Sequence, residues 1–250
     1  MKKLFLFVLL LVPVITHATF PSVRSSSQDI KDSAANSITL TWPATVESDD
    51  ILLCFVAVFD DNGISTAESG VSELFEVDAN RNSIAIYAKD ADGTEDSGTW
   101  TVTTDGAQAE KWTWHCWAIQ DTFDGTHANS VTTATDFDGG SVPSTVSNCP
   151  SLNPAGWGTE DTLWVCFAGW ASDVAADMTS YPAACTDNQS NQETTIVDSG
   201  LCSDEEAAAS KDFAAFTISG GASTNDTWAA ATVAIRPASS GNPLRRRRGD

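Results

Sequence analysis

The run Asp50-Ile-Leu-Leu-Cys-Phe-Val-Ala57 returns 111 residues later as Asp161-Thr-Leu-Trp-Val-Cys-Phe-Ala168. A second run, Trp112-Thr-Trp-His-Cys-Trp-Ala-Ile119, returns after 116 residues as Trp228-Ala-Ala-Ala-Thr-Val-Ala-Ile235. The segments that precede the second run also correspond, Thr99–Gly106 against Ala215–Ala222. Matches in the same order at nearly constant offset point to an internal duplication. No long Pro/Gly/Ser linker divides the copies. The expectation is therefore one sandwich with two similar halves, 50–119 and 161–235.

Working outward from these runs, the chain reads as strands at Ser37–Trp42, Ile51–Phe59, Ser83–Lys89, Thr99–Thr103, Lys111–Ile119, Ser130–Thr135, Thr162–Trp170, Thr194–Val197, Asp212–Ile218 and Thr227–Ile235. They are short and rich in Val, Ile, Thr and Trp. Turn chemistry separates them: Asp-Asn-Gly at 61–63, Asp-Gly at 92–93 and 105–106, Asp-Gly-Gly at 138–140 and Gly-Gly at 220–221. Only Glu205–Lys211 reads as helical. Short strands without interposed helices predict an all-β fold, a β-sandwich or jelly roll spanning 37–237. Residues 19–36 read as a polar lead-in and 238–250 as a flexible basic tail.

The first 18 residues have the layout of a cleavable signal peptide. Lys2 and Lys3 precede an apolar run from Leu4 to Ile15, and small residues Thr16 and Ala18 sit at the cleavage offset. The run is shorter than the roughly 20 residues a bilayer core needs, so no transmembrane span is expected in the mature chain. The expected destination is extracellular, the cell surface or the periplasm.

Nine Trp and eleven Phe can fill a core despite a formal charge of −21. So acidic a body repels nucleic acid and anionic membranes. The basic residues are unevenly placed, with four of the thirteen Lys and Arg together at Arg245–Arg248. The ending Arg248-Gly-Asp250 spells an integrin tripeptide, but it only closes that run. The sequons at Asn188 and Asn225 matter only where the source glycosylates.

Six Cys in an exported chain fit disulfides. Cys185 and Cys202, in polar turn-rich sequence, form the candidate pair. Cys54, Cys116 and Cys166 lie inside apolar runs and read as small buried hydrophobes, and Cys149 has no evident partner. No spacing suits a structural metal.

The mature chain has two His. His115 stands in a Trp-rich strand and reads as structural, with its neighbour Cys116 on the opposite face. His127 lies in a loop with nothing near it to specify a reaction. No nucleophile, phosphate-binding or zinc-protease motif occurs, and no cofactor is implied. Facing carboxylates of a glycoside hydrolase are conceivable among so many acids, but the sequence selects no pair. Asp90, Asp92, Glu95 and Asp96 surround a Gly-containing turn and offer a weak Ca²⁺-like cluster, repeated in outline at Asp136-Phe-Asp-Gly139. A solvated turn is the competing reading.

Trp112 and Trp114 share one strand face and Trp117 takes the other; Trp164 and Trp170 alternate likewise. In a two-sheet sandwich one face is core, so at least one ring should be free to lie under a loop, enter a subunit contact or stack on a sugar. These five Trp are the candidate ligand-binding residues.

The combination of Asp50-Ile-Leu-Leu, Ala88-Lys-Asp-Ala-Asp-Gly-Thr-Glu95, Asp161-Thr-Leu-Trp-Val and Trp228–Pro237 resembles a loose group of uncharacterised β-sandwich proteins from tailed phages and environmental bacteria. Similar modules occur in fibre, tail-associated and surface proteins. The resemblance covers about Ser37–Pro237, implies a structural or adhesive role and carries no catalytic residue over. The signal peptide and the six Cys depart from a virion part and favour a secreted or surface form. The leading expectation is a non-enzymatic structural or adhesion module that engages itself or a surface partner. The alternatives are a lectin-like glycan-binding module, with calcium assistance, and a secreted hydrolase.

Overall fold

The computed structural model describes residues 19–59, 63–78, 81–106, 109–138, 146–172, 177–192, 197–219 and 227–238. Residues 1–18, expected from the sequence to be a signal peptide, the Arg run, the turns at 139–140 and 220–221 and the Asn225 sequon lie outside them.

Among the described residues sixteen strands follow one another: β1 (Ser22–Ala35), β2 (Ser37–Thr41), β3 (Ile51–Val58), β4 (Ile64–Ser65), β5 (Ser72–Asp78), β6 (Ser83–Asp90), β7 (Thr99–Thr104), β8 (Glu110–Gln120), β9 (Val131–Asp138), β10 (Val146–Ser147), β11 (Glu160–Ala171), β12 (Asp177–Ser180), β13 (Thr186–Gln192), β14 (Val197–Ala208), β15 (Phe216–Ser219) and β16 (Thr227–Ile235). One helical turn, α1 (His127–Ser130), precedes β9. The fold is all-β, as the sequence predicts.

The strands form two large sheets, ordered β1-β8-β3-β6-β5 and β13-β14-β11-β16-β9, and two small ones, β2-β7-β4 and β10-β15-β12. Adding eight to each strand number of the first half reproduces the order of the second. Within each half, eight strands wind between two facing sheets in jelly-roll manner.

Period-two burial explains how these sheets stack. In β3, Ile51, Leu53, Phe55 and Ala57 enter one core while Leu52, Cys54, Val56 and Val58 enter another. The first core joins the two large sheets, taking Leu163, Val165 and Phe167 of β11 and Val233 and Ile235 of β16. The second lies between large and small sheets of the first half, and a third, with Trp164, Trp170 and Phe216, repeats it in the second half. The molecule is thus four layers thick, small–large–large–small. A strand such as β3, buried along its whole length, has apolar residues at every position because both its faces are covered.

The two large sheets meet with β1 against β13, β8 against β14, β3 against β11, β6 against β16 and β5 against β9. Exchanging the halves maps this set of contacts onto itself, the pattern of a self-complementary dimer held within one chain. Gly169 sits where β3 and β11 cross. A Cβ there would lie 2.8 Å from Ala57 Cβ and 2.8 Å from Ile84 Cγ2, so the closest approach of the sheets requires glycine.

Three expectations are corrected. Residues 22–35, read as part of a polar lead-in, form β1, which pairs antiparallel with β8 from Ser22↔Gln120 to Ala35↔Glu110. An edge strand with much of its surface in water has no apolar pattern to announce it. Glu205–Ala208, read as helical, continue β14, because pairing with Leu163 and its neighbours on β11 overrides a local helix preference. Cys54, Cys116 and Cys166 are not free hydrophobes and Cys149 does not lack a partner. The bonds are Cys54–Cys116, Cys149–Cys166 and Cys185–Cys202. Cys54 and Cys116 face each other across β3 and β8 in direct register, which the sequence separation of 62 conceals.

Candidate functional site

The five Trp named as ligand candidates are all interior. Trp112, Trp117 and Trp164 are fully buried, Trp170 is 2% and Trp114 4% exposed. Both faces of β8 are covered, so rings on opposite faces require no outside partner. Trp112 Nε1 donates to Ala35 O at 2.9 Å, Trp117 Nε1 to Gln189 Oε1 at 3.0 Å and Trp164 Nε1 to Glu206 O at 3.1 Å. Trp114 lines a surface cavity.

His115 is enclosed between the large sheets. Its Nδ1 lies 3.1 Å from Gln28 Oε1 of β1 and its Nε2 2.9 Å from Ser199 Oγ of β14. Burial away from water holds its pKa down to about 3, so the ring is neutral and bridges the halves. Nearby, Gln189 Nε2 donates to Ser26 Oγ at 3.0 Å, and Asn191 Nδ2 donates to Trp114 O at 2.7 Å and Asp29 O at 3.1 Å. A seam of amides thus crosses the junction of the halves beside the apolar core.

His127 is held by Asp90, whose Oδ1 accepts from the His127 backbone N at 2.6 Å and lies 2.8 Å from Nδ1. The remaining carboxylates of the proposed calcium turn serve separate donors. Glu95, buried, accepts from the backbone N of Asp92 at 3.2 Å and of Gly93 and Thr94 at 3.1 Å each, and pairs with Lys89 Nζ at 3.1 Å. Asp92 Oδ1 accepts from Thr94 N at 2.9 Å and Thr94 Oγ1 at 2.6 Å. The hydrogen bonds from Thr94 lower its pKa. Asp96 Oδ1 accepts from Val46 N at 2.6 Å. The turn is a self-capped loop whose acids point at different partners, and among the described residues no group of three or more metal-ligating side chains converges.

One surface feature with open polar groups lies where β1 meets β2. Alternate side chains of β1, Ser25, Ser27, Asp29 and Lys31, face the small sheet. Ser25 Oγ donates to Thr45 O and Ser27 Oγ to Thr41 O at 2.5 Å, which zips the two edge strands together. The next positions carry Asp29 and Lys31, too long for that contact, and beyond Lys31 the β1–β8 register shifts. The edges part there and leave a cavity of about 340 Å³, lined by Asp29, Ile30, Lys31, Ser37, Ile38, Thr39 and Trp114.

Charge singles out the same place. Of the seven described Lys and Arg, Arg24 pairs with Asp50 and Glu47, Lys89 with Glu95, Lys211 with Asp204 and Glu206, and Arg236 with Glu160. Arg81 and Lys111 also have partners. Lys31 alone has no ion pair or hydrogen bond to another described residue. Sequence reasoning passed over Asp29, Lys31, Ser37 and Thr39 because they fell in the supposed lead-in or among ordinary strand positions. The alternation Ser25-x-Ser27-x-Asp29-x-Lys31 was the available signal.

Comparison of the chain with protein-family models, curated proteins and solved structures finds no match.

Proposed function

We propose that the protein is an exported structural and adhesive module, acting by holding a surface or partner rather than by transforming a substrate. The observation that carries this reading is where the chemistry-bearing side chains are committed. His115 and the tryptophans serve the interior, and the acids of the 90–96 turn cap their own loop, while an open polar groove remains at the sandwich edge. Three disulfides are compatible with an oxidising compartment, and no helix among the described residues is long and apolar enough to cross a membrane. The amino-terminal signal layout supports export, and the resemblance to fibre and surface modules agrees with it.

Native mass spectrometry and negative-stain imaging of the purified chain, with binding assays on cell surfaces and insoluble polymers, test the reading. Ordered self-association or surface retention is expected. A strict monomer retained on nothing would overturn it.

A further inference from the structure

We infer that the β1–β2 groove is a subsite for one neutral sugar unit, the point at which the module grips a glycan; this rests on the adhesive reading above. Asp29 and Lys31, alternate residues on one face of β1, stand about 6.8 Å apart along the strand. They place an acceptor and a donor on the same wall. Asp29 Oδ1 accepts from Ile30 N at 2.8 Å, which orients the exposed carboxylate. Ser37 and Thr39, exposed positions of β2, also line the cavity and bring hydroxyls that donate and accept. Ile38, 5% exposed, and Trp114, 4% exposed, form the small apolar part of the lining.

The cavity volume of about 340 Å³ falls at the small end of the roughly 300–1,000 Å³ range of ligand pockets, suited to a single ring and not to an enclosed oligomer. Charge selects a neutral ligand. Lys31 alone would attract an anion, but Asp29 stands beside it and the whole chain carries −21. A polyol satisfies both groups without adding charge. The site engages sugar through hydroxyls and two separate charges of opposite sign on one strand.

The groove is built by geometry and not by a loop. Ser25 and Ser27 close the two edges below it, Asn191 from the other half holds the Asp29 carbonyl at 3.1 Å, and Trp112 ties the strand end at Ala35 O. A preformed site of this kind binds without the entropy cost of ordering a segment.

A glycan array of neutral and acidic oligosaccharides, read with excess EDTA and again with calcium, tests the assignment on the full secreted chain. Neutral glycans should be retained equally in both conditions. Thr39→Trp, which fills the groove, should weaken binding at least tenfold, and the exposed variants Asp29→Ala and Lys31→Met about three- to tenfold. Thr217→Trp on the small sheet of the second half should bind as wild type. Retention of acidic glycans alone, no retention at all, or unchanged binding by Asp29→Ala and Lys31→Met would overturn the subsite. A blank array beside intact surface retention removes the sugar assignment and leaves adhesion standing, so the two failures are distinct. Should Thr39→Trp fail to fold, as judged by near-UV circular dichroism, the two exposed variants decide.

Discussion

His115 on β8 and Ser199 on β14 meet at 2.9 Å across the two large sheets, one residue from each half of the chain. A neutral imidazole buried in this way makes folding proton-linked. Its pKa is held down to about 3 in the native state, against an ordinary value of 6.5. The unfolded chain therefore binds the proton more readily than the native one over that interval. Stability from this group is present above pH 6.5 and is lost as pH falls toward 3, by up to about 1.4 kcal/mol per unit. Thermal melts from pH 7 to 4 should fall less steeply for His115→Gln than for wild type, and parallel curves would refute the linkage.

Ser199→Ala removes the hydroxyl but leaves the imidazole nitrogen buried. The expected loss is about 1–3 kcal/mol, read from denaturant midpoints, because an orphaned polar group loses its hydration without replacement.

Gly169→Ala should destabilise by about 1–3 kcal/mol through overpacking. The added methyl meets Ala57 and Ile84 at 2.8 Å, both on the facing sheet. Calorimetry on Gly169→Ala together with Ala57→Gly provides the check, since relieving one side of the clash should recover part of the lost melting temperature.

The disulfides should differ in weight according to the loops they close. Chain-entropy reasoning assigns about 4 kcal/mol to Cys54–Cys116, with a separation of 62, and about 3 kcal/mol to Cys185–Cys202, with a separation of 17. The paired Ala variants, compared by urea titration under oxidising conditions, should rank in that order.

Glu95→Ala exposes the cost of the acidic turn. Three backbone donors and Lys89 lose their acceptor, and about 1–3 kcal/mol should follow. Added calcium should not restore the melting temperature. Restoration would show that the turn does hold a cation.

Much of the architecture was legible from residue pattern. The runs at 51–58 and 163–170 are apolar at nearly every position, and β7 alternates so plainly that Thr99, Thr101 and Thr103 face water while Trp100 and Val102 face the core. What escaped was the number of layers. A two-sheet sandwich leaves one face of β8 free for a tryptophan; with four sheets both faces, carrying Trp117 and Trp112 with Trp114, are interior. The edge strand β1 escaped for the opposite reason. Its Ser and Gln side chains bond to groups distant in sequence, as Gln28 does to the His115 ring and Ser27 to Thr41 O, and no local periodicity records such partners. The groove was lost with it, since its residues gain meaning only once β1 and β2 are seen to part.

The self-matching contact between the large sheets has a consequence for the order of synthesis. Residues through Gln120 complete every strand of the first half, yet the wide apolar face of that half stays uncovered until β16 has emerged, more than a hundred residues later. During that interval the nascent first half carries an open, sticky sheet that only its own unfinished sequel can cover. Crossing a membrane unfolded and collapsing once both halves are present would spare the chain that exposure. A core shared between distant halves thus ties completion of the first half to synthesis of the second.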